Sequence, residues 1–433
     1  MEDQQGLALS GANAASLAAY AKAQHELACF VGDPVAAADE AIAASPAMTM
    51  AWLLKAWLHL LGTEPAGTAV ALACCEAARA LQANERERRH LAAVTALAHG
   101  RWYQAGLLLE DLSAREPLDL LALQAGHQID FFTGDSRMLR DRIARALPAW
   151  QRGSEGFHAV LGMYAFGLEE SGDYLAAEKH GRAAVELQPR DSWAWHAVAH
   201  VLEMTDQPAA GVEWLRPNAP IWSHESFLAV HNWWHLALFH LALDQSDEAL
   251  HLYDRAIGGP GSSLVLDMLD ASAILWRLQL RGVNVGDRWQ PLADRWHAVL
   301  GPGRYAFNDM HAMMAYAGAG RDADQQAVID AQREALGDAG DNAVFTREVG
   351  AAATQAILAF ARGDFARCTS LLRPVRSRAS RFGGSHAQRD VIDLTLMEAA
   401  ARGGDEALAS ALAFERAAVR PHTSKARKPA RAV

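Results

Sequence analysis

The sequence of 433 residues lacks any run of about 18 apolar residues, so it predicts no helix that spans a membrane. Cysteine is scarce, because the chain has only four and none of them forms a Cys-x-x-Cys pair. The neighbours Cys74 and Cys75 are poorly placed to bond each other, which favours a reducing compartment. The acidic, polar start at Met1 is unlike a secretory signal. We therefore expect a cytoplasmic protein.

An excess of positive charge is missing as well, because 40 basic residues face 51 acidic ones. The formal net charge is −11, whereas a surface that binds nucleic acid needs basic side chains to neutralise phosphates. The exception is the segment 416–433, which is basic and has few large apolar residues. We expect it to be a disordered, solvated tail, and a docking arm is the alternative. The composition therefore predicts neither nucleic acid nor membrane as a partner.

The alternation of β-branched and polar residues that marks a strand is also missing. Alanine and leucine instead recur at helical spacing along nearly the whole chain, and short turns of Gly, Pro or Asp interrupt them. The pattern predicts an all-α fold.

The predicted helices repeat with the spacing of a tetratricopeptide unit, which is a pair of helices about 34 residues long. Small residues are expected where the two helices of a unit pack, and Ala165, Ala177 and Ala184 occupy those places in a unit that starts at His158. Further units start at Arg86, Ser192 and Val230. Since one helix pair cannot cover its own apolar face, we expect the pairs to stack into an α-superhelix, or solenoid, with a concave surface. A generic helical domain is the alternative.

The composition and the repeat spacing together predict three regions along the chain. Residues 1–10 form a disordered N-terminus, and 11–415 form a single tetratricopeptide-like solenoid whose clearest repeats lie at 158–260. Residues 416–433 form the basic tail. Long loops at 205–229 and 283–304 interrupt the array, and such loops often carry function.

Histidines mark the centre of the predicted solenoid. The first helix of a unit lines the concave surface, and there His196 and His200 lie four residues apart, as do His231 and His235 on the next such helix. Neutral imidazoles at this spacing can reach one ion, so the four side chains are candidate ligands of a divalent metal such as zinc, iron, manganese or nickel. Hydrogen-bonded core histidines are the alternative.

Other side chains could complete a site. Three carboxylates are candidate catalytic bases or further ligands: Glu203, Asp270 and Asp309. Five residues are candidates for binding an organic ligand: Trp193, Trp234, Arg277, Asn308 and Arg389. Each has a structural alternative as well, because tryptophans fill cores, Arg277 could pair with Asp270, and Asp309 could cap a helix. Ser385 and Gln388 have the spacing of a capping box. Arg389 could help the free amides there to hold a carboxylate or phosphate, or it could pair with an acid.

Several segments resemble the tetratricopeptide repeat protein 38 family. They are His196–Met204, His231–His235, Phe307–His311, Gly383–Val391, Gly162–Glu169 and Met268–Ala271. The likeness extends from near His127 to near Arg420, whereas His386 and Asp130 depart from the family pattern. The resemblance implies an α-superhelical, cytosolic protein, and it implies no particular activity.

Two functions remain open at this point. The first is a small-molecule site in the concave groove, with the histidines as ligands or acid and base groups of a metal-dependent hydrolase or lyase. The second is a non-catalytic scaffold that binds a peptide in the same groove. Clamps for a C-terminal carboxylate need Lys, Arg and Asn on the first helix of each unit. Here His, Glu, Trp and Phe occupy those places, with Glu169 among them. This argues against a carboxylate clamp, though not against binding of another peptide.

Overall fold

A computed structural model describes residues 1–299, 301 and 303–421 of the chain. Its regular structure is helical, and within those residues the only extended pairings are two isolated bridges, Glu2 with Ala8 and Val31 with Ser226. The prediction of an all-α fold is therefore confirmed. Within the same residues, every helix is too short or too polar to cross a lipid bilayer.

The chain divides into two compact units. Unit 1 comprises Met1–Val201 and Asn218–Asn232, and unit 2 comprises Leu202–Pro217 and Trp233–Val433. The first ten α-helices belong to unit 1: α1 Ala14–Cys29, α2 Pro34–Ala44, α3 Thr49–Leu61, α4 Gly67–Arg79, α5 Glu85–Ala98, α6 Trp102–Arg115, α7 Leu120–Thr133, α8 Ser136–Ala146, α9 Phe157–Glu170 and α10 Tyr174–Leu187.

The next four helices alternate between the units. Helix α11 (Ser192–Met204) belongs to unit 1 up to Val201 and to unit 2 from Leu202. Helix α14 (Ala229–Ala242) belongs to unit 1 up to Asn232 and to unit 2 from Trp233. Between them, α12 (Pro208–Leu215) belongs to unit 2 and α13 (Ala219–Trp222) to unit 1.

The remaining helices belong to unit 2: α15 Ser246–Leu252, α16 Val265–Leu280, α17 Trp289–Val299, α18 Ala306–Gly318, α19 Asp322–Ala335, α20 Asn342–Phe345, α21 Ala351–Ala361, α22 Phe365–Leu372, α23 His386–Arg402 and α24 Glu406–Val419. Two π-helical turns, Tyr253–Ile257 and Thr346–Gly350, extend α15 and join α20 to α21. Short 3-10 helices form at Leu147–Ala149, Gly286–Arg288 and Arg376–Phe382.

The helix pairs follow from local signals in the sequence. Between α9 and α10, Gly172 has a φ of +85°, in the left-handed region that favours glycine. The Asp173 carboxylate then accepts a hydrogen bond from the Ala176 N–H at 3.3 Å and caps α10. Alanines at the expected helix contacts are completely buried: Ala93, Ala105, Ala165, Ala177, Ala184, Ala199, Ala237 and Ala249. Each predicted unit thus corresponds to two successive helices, and α5 with α6 and α9 with α10 pack against each other.

Unit 1 has an aromatic and aliphatic core. It includes Leu123, Ile143, Met163, Phe166 and Trp193, which α7, α8, α9 and α11 contribute. Helices α8 and α9 approach closely at Gly167, where a Cβ atom would lie 2.4 Å from the Leu139 carbonyl oxygen. Burial of these side chains stabilises the unit by about 25 cal/mol for each Å² of apolar surface removed from water.

Both ends of the chain differ from the prediction of disorder where the structure describes them. Residues 1–10 form a turn in which Asp3 accepts from the Gln5 and Leu7 N–H groups, and Leu9 is 3% exposed. The turn orders because buried apolar surface and capped amides offset its loss of chain entropy. At the other end, Arg416 belongs to α24, while 422–433 of the predicted tail lie outside the described residues.

Candidate functional site

Helix α11 presents three of the predicted site residues in unit 1: Trp193, His196 and His200. The helix starts where Asp191 accepts a hydrogen bond from the Ala194 N–H at 3.0 Å, which satisfies one of the free amides of the first turn. Because the two histidines are four residues apart, they lie on the same face of the helix.

Three imidazoles converge in unit 1. The Nε2 atoms of His196 and His231 are 3.0 Å apart, and the ring centroids of His196 and His200 are 4.4 Å apart. One ligand atom from each of the three side chains lies within 4.8 Å of the others. His196 is 2% exposed and His200 is fully buried, whereas His231 is partly exposed. The structure therefore brings together three of the four predicted metal ligands.

The fourth predicted ligand, His235, lies one helical turn after His231 on α14 and belongs to unit 2. It is fully buried, and its ring centroid is 4.9 Å from that of Trp234. Its role as a ligand stays a prediction that rests on the spacing of four residues.

Aromatic rings surround the three imidazoles. Phe166 stacks on His196 at 5.3 Å between ring centroids and meets His200 edge-on at 5.1 Å. The ring centroids of Trp193 and His196 are 4.7 Å apart, and Phe30 stacks on Trp193 with 5.2 Å between ring centroids. These rings exclude water and lower the local dielectric, which strengthens any charge interaction among the histidines.

Two carboxylates at the end of α9 complete the cluster. Oε2 of Glu169 is 3.5 Å from Nδ1 of His200, and both side chains are fully buried. Glu169, Glu170 and His200 form a second group whose ligand atoms lie within 4.8 Å of one another. In the sequence, Glu169 counted only as a residue that disfavours a carboxylate clamp. It occupies the same place in its repeat as Glu203 does in the next, and that signal could have identified it.

A small enclosed cavity lies beside Trp193. It has a volume of about 10 Å³ and is lined by apolar and amide side chains together with one imidazole: Ala28, Phe30, Gln124, His127, Gln128, Ala159, Met163 and Trp193. This is close to the smallest space that holds a water molecule. Burial, together with the charge of Arg142, lowers the pKa of His127 to about 3, so this imidazole is neutral at physiological pH.

The predicted catalytic residue Glu203 belongs to unit 2, where it forms an ion pair. Nη1 of Arg420 donates to the Glu203 carboxylate and to its main-chain carbonyl, each at 3.0 Å. Both side chains are 10% exposed. The guanidinium thus joins the end of the described chain to α11, a structural contribution that the sequence did not indicate.

Asp309, the second predicted carboxylate, lies in the first turn of α18. It accepts hydrogen bonds from the Gly303 N–H at 3.1 Å and from the Gln332 amide at 3.2 Å. The alternative that Asp309 caps a helix is wrong, because α18 begins three residues earlier, at Ala306. Burial raises the pKa of Asp309 to about 7, against the two hydrogen bonds that lower it. Asn308, next to it, is 4% exposed.

Arg277 and Trp234 contact each other within unit 2. The guanidinium carbon of Arg277 lies 5.3 Å from the centroid of the Trp234 ring, in a cation–π arrangement. Arg277 also donates to the carbonyl oxygens of Ala273 at 3.2 Å and Ala387 at 2.7 Å. Burial lowers its pKa to about 10, so it remains charged. Asp270, the third predicted carboxylate, is 2% exposed on the same helix, α16.

The capping box at the start of α23 is confirmed. Ser385 Oγ accepts from the Gln388 N–H at 3.2 Å, and Gln388 Oε1 accepts from the Ser385 N–H at 3.0 Å. Arg389 donates to the Gly384 carbonyl and is 8% exposed. The predicted ligand-binding role of Arg389 stays a prediction.

No protein-family model matches this chain.

Proposed function

We propose that this protein binds a divalent transition-metal ion through His196, His200 and His231 and uses it to hydrolyse or cleave a small molecule. The observation that carries the proposal is the convergence of three imidazoles, two of them buried, among aromatic rings in unit 1.

The separation of the ring nitrogens supports a metal. Two Nε2 atoms bound to one ion at about 2.1 Å would be about 3.0 Å apart in an octahedral arrangement and about 3.4 Å apart in a tetrahedral one. The Nε2 atoms of His196 and His231 are 3.0 Å apart. These two side chains therefore need little movement to bind one ion.

The neighbouring carboxylates supply what a hydrolytic or lyase reaction needs. Glu169 lies 3.5 Å from Nδ1 of His200, so it can fix the orientation of that ring or accept a proton from substrate. A bound ion would supply Lewis acidity and lower the pKa of a bound water to about 7. The partly exposed His231 marks the side from which a small substrate would approach.

Burial favours a small ligand over a peptide. A peptide groove needs accessible side chains, whereas Trp193 is 9% exposed and His200 is completely buried. The scaffold alternative therefore has no specific observation in its favour at these residues.

We also propose that the helix pairs stack as a tetratricopeptide-like superhelix and that the chain is a cytosolic member of the tetratricopeptide repeat protein 38 family. The pairs at 86–117 and 158–189, with buried alanines at the expected contacts, support the repeat. The four cysteines are all free thiols, in keeping with a reducing compartment.

Elemental analysis of the purified full chain tests the metal. We expect about one equivalent of a transition metal in the wild type at this site, and its loss in the double variant His196→Ala, His231→Ala. Isothermal titration of the metal-free protein with Zn²⁺ should show one fewer bound ion in that variant.

A matched control is His224→Ala, which removes an exposed histidine of the same unit. It should bind Zn²⁺ as the wild type does. An equal number of bound Zn²⁺ ions in the wild type and the double variant, with both folded by circular dichroism, would refute the site. The single variant His235→Ala then shows whether the fourth histidine contributes.

A further inference from the structure

A second cluster of metal-ligating side chains lies elsewhere in unit 1, and sequence analysis did not find it. His25 and Cys29 are four residues apart in the last turns of α1, so they lie on one face of that helix. His158 lies in the first turn of α9. One ligand atom from each of the three lies within 4.8 Å of the others.

The sulfur lies between the two imidazoles. Sγ of Cys29 is 3.9 Å from Nε2 of His25 and 3.9 Å from Nε2 of His158. Tetrahedral zinc with bonds of about 2.05 Å to nitrogen and 2.3 Å to sulfur would place these atoms about 3.5 Å apart. The two observed separations exceed this distance by only a few tenths of an ångström.

Carboxylates hold the far nitrogen of both rings. Nδ1 of His158 is 2.7 Å from Oδ2 of Asp191, and Nδ1 of His25 is 3.5 Å from Oε1 of Glu155. The hydrogen bond to Asp191 keeps the proton of a neutral His158 on Nδ1 and turns its Nε2 lone pair toward the sulfur. This is the outer arrangement that zinc-ligating histidines have.

The count of protons also points to a cation. When both imidazoles have their proton on Nδ1, the thiol can donate its one hydrogen to only one of the two Nε2 lone pairs. The second lone pair and the sulfur would then face each other as two acceptors. A positive ion between a thiolate and two neutral imidazoles satisfies all three atoms at once.

A cysteine nucleophile activated by His158 and Asp191 is the alternative for the same residues, and three observations disfavour it. Cys29 is completely buried, so a substrate carbonyl cannot reach the sulfur. It ends α1, where the helix dipole destabilises a thiolate. A nucleophilic triad also has no use for His25, whose Nε2 faces the sulfur as closely as that of His158 does.

We infer that His25, Cys29 and His158 form a metal site for a thiophilic divalent ion of the zinc class. Binding forms the metal–sulfur bond and releases the thiol proton to solvent. The His25 side chain is 44% exposed, so the site opens to water on that side and leaves a fourth position for a solvent molecule. It shares no ligand with the site at His196, and it stands independently of the proposed function.

Cobalt titration of the metal-free full chain tests the inference, because a thiolate bound to Co²⁺ gives a near-ultraviolet charge-transfer band that histidine ligands alone do not give. We expect the band to saturate with one equivalent in the wild type and to be absent in Cys29→Ser. It should persist in His196→Ala, since that residue belongs to the other site.

Two further variants keep the test decisive if Cys29→Ser fails to fold. His25→Ala removes an exposed ligand without disturbing the core, and the dissociation constant for Co²⁺ should rise at least tenfold. Asp191→Asn retains the acceptor that caps α11 but weakens the partner of His158, and we expect a rise of roughly tenfold.

Cys74→Ser is the matched control, because Cys74 is a buried cysteine of the same unit that belongs to no such group among the described residues. It should leave the band unchanged. A wild type without the band at saturating Co²⁺, or a folded Cys29→Ser that retains it, overturns the inference. Rapid alkylation of Cys29 by iodoacetamide that Zn²⁺ does not slow would instead favour the nucleophile.

Discussion

The arginine–carboxylate pairs of unit 2 and the histidine cluster of unit 1 are arranged in opposite ways. In unit 2, Glu203 pairs with Arg420 at 3.0 Å, and Asp390 pairs with Arg416 at 2.8 and 3.1 Å. In the histidine cluster of unit 1, groups of one kind face one another instead, with the Nε2 atoms of two imidazoles 3.0 Å apart. Opposite charges satisfy each other and stabilise the fold, whereas converging groups of the same kind are best satisfied by a ligand.

If the pairs of unit 2 serve stability, removal of a shared partner there should have the largest effect. Although burial opposes it, the guanidinium groups of Arg416, Arg420 and Arg277 hold the pKa of Asp390 well below its usual range. Asp390→Ala leaves these cations without that carboxylate. Asp390 and Arg416 are 18% and 21% exposed, so we expect the free energy of unfolding to fall by about 3 kcal/mol, measured by urea denaturation.

The matched control is Asp393→Ala, one turn further along α23. Asp393 pairs with Arg376, and both side chains are about one-third exposed. Solvent screens such a pair, so the expected loss is below about 1 kcal/mol. Equal losses in the two variants would break the contrast between buried and exposed pairs.

Asp309 sharpens the comparison, because it is a buried carboxylate of unit 2 that has amides rather than a cation as hydrogen-bond partners. Its pKa rises from 3.8 to about 7 on folding, so the folded state binds more protons than the unfolded state between those values. The free energy of unfolding should therefore fall as the pH rises from about 4 to 7, by up to about 1.4 kcal/mol per pH unit for this group.

Asp309→Asn should remove that slope and stabilise the protein by a few kcal/mol at pH 8, provided that the Gln332 amide turns over to accept from the new side chain. Urea denaturation at pH 5 and pH 8 measures both effects. A variant less stable than the wild type at pH 8 would contradict the prediction.

Stabilisation by metal tests the unit 1 side of the comparison. Zn²⁺ at 100 times its dissociation constant should raise the free energy of unfolding by about 2.7 kcal/mol for each site, as seen in thermal denaturation. The double variant His196→Ala, His231→Ala should lose the contribution of its own site and keep that of Cys29. Identical shifts in the variant and the wild type would mean that the imidazoles do not bind the ion.

The smallest expected effect concerns Glu203, which sequence analysis named as a catalytic candidate. Glu203→Gln keeps a carbonyl acceptor for Arg420 but removes the charge, so we expect a loss of about 1–2 kcal/mol. Zn²⁺ affinity and any hydrolytic activity should not change. A large loss of activity with unchanged stability would instead restore the catalytic role.

Local structure could largely be predicted from the sequence. The units that start at Arg86, His158, Ser192 and Val230 correspond to observed helix pairs, and the capping box at Ser385 is present. Helical periodicity and capping depend on residues within a few positions of each other, so a linear pattern contains them. The spacing of four between His196 and His200 likewise indicated a shared face.

Contacts between distant segments were not readable in this way. Cys29 and His158 are 129 residues apart, and Glu203 and Arg420 are 217 apart, so no local spacing connects them. Glu169 was nearer to being found, because its place in the repeat matches that of Glu203. It entered the site only when the packing of α9 against α11 placed it beside His200.

The sequence by itself determined that this chain is helical, where its helix pairs lie, and that its histidines occupy one face of α11. Only the tertiary structure decided which buried carboxylates meet cations and which meet imidazoles. The reason is physical: helix periodicity is a property of neighbouring residues, whereas the partner of a buried polar group depends on how distant helices pack against each other.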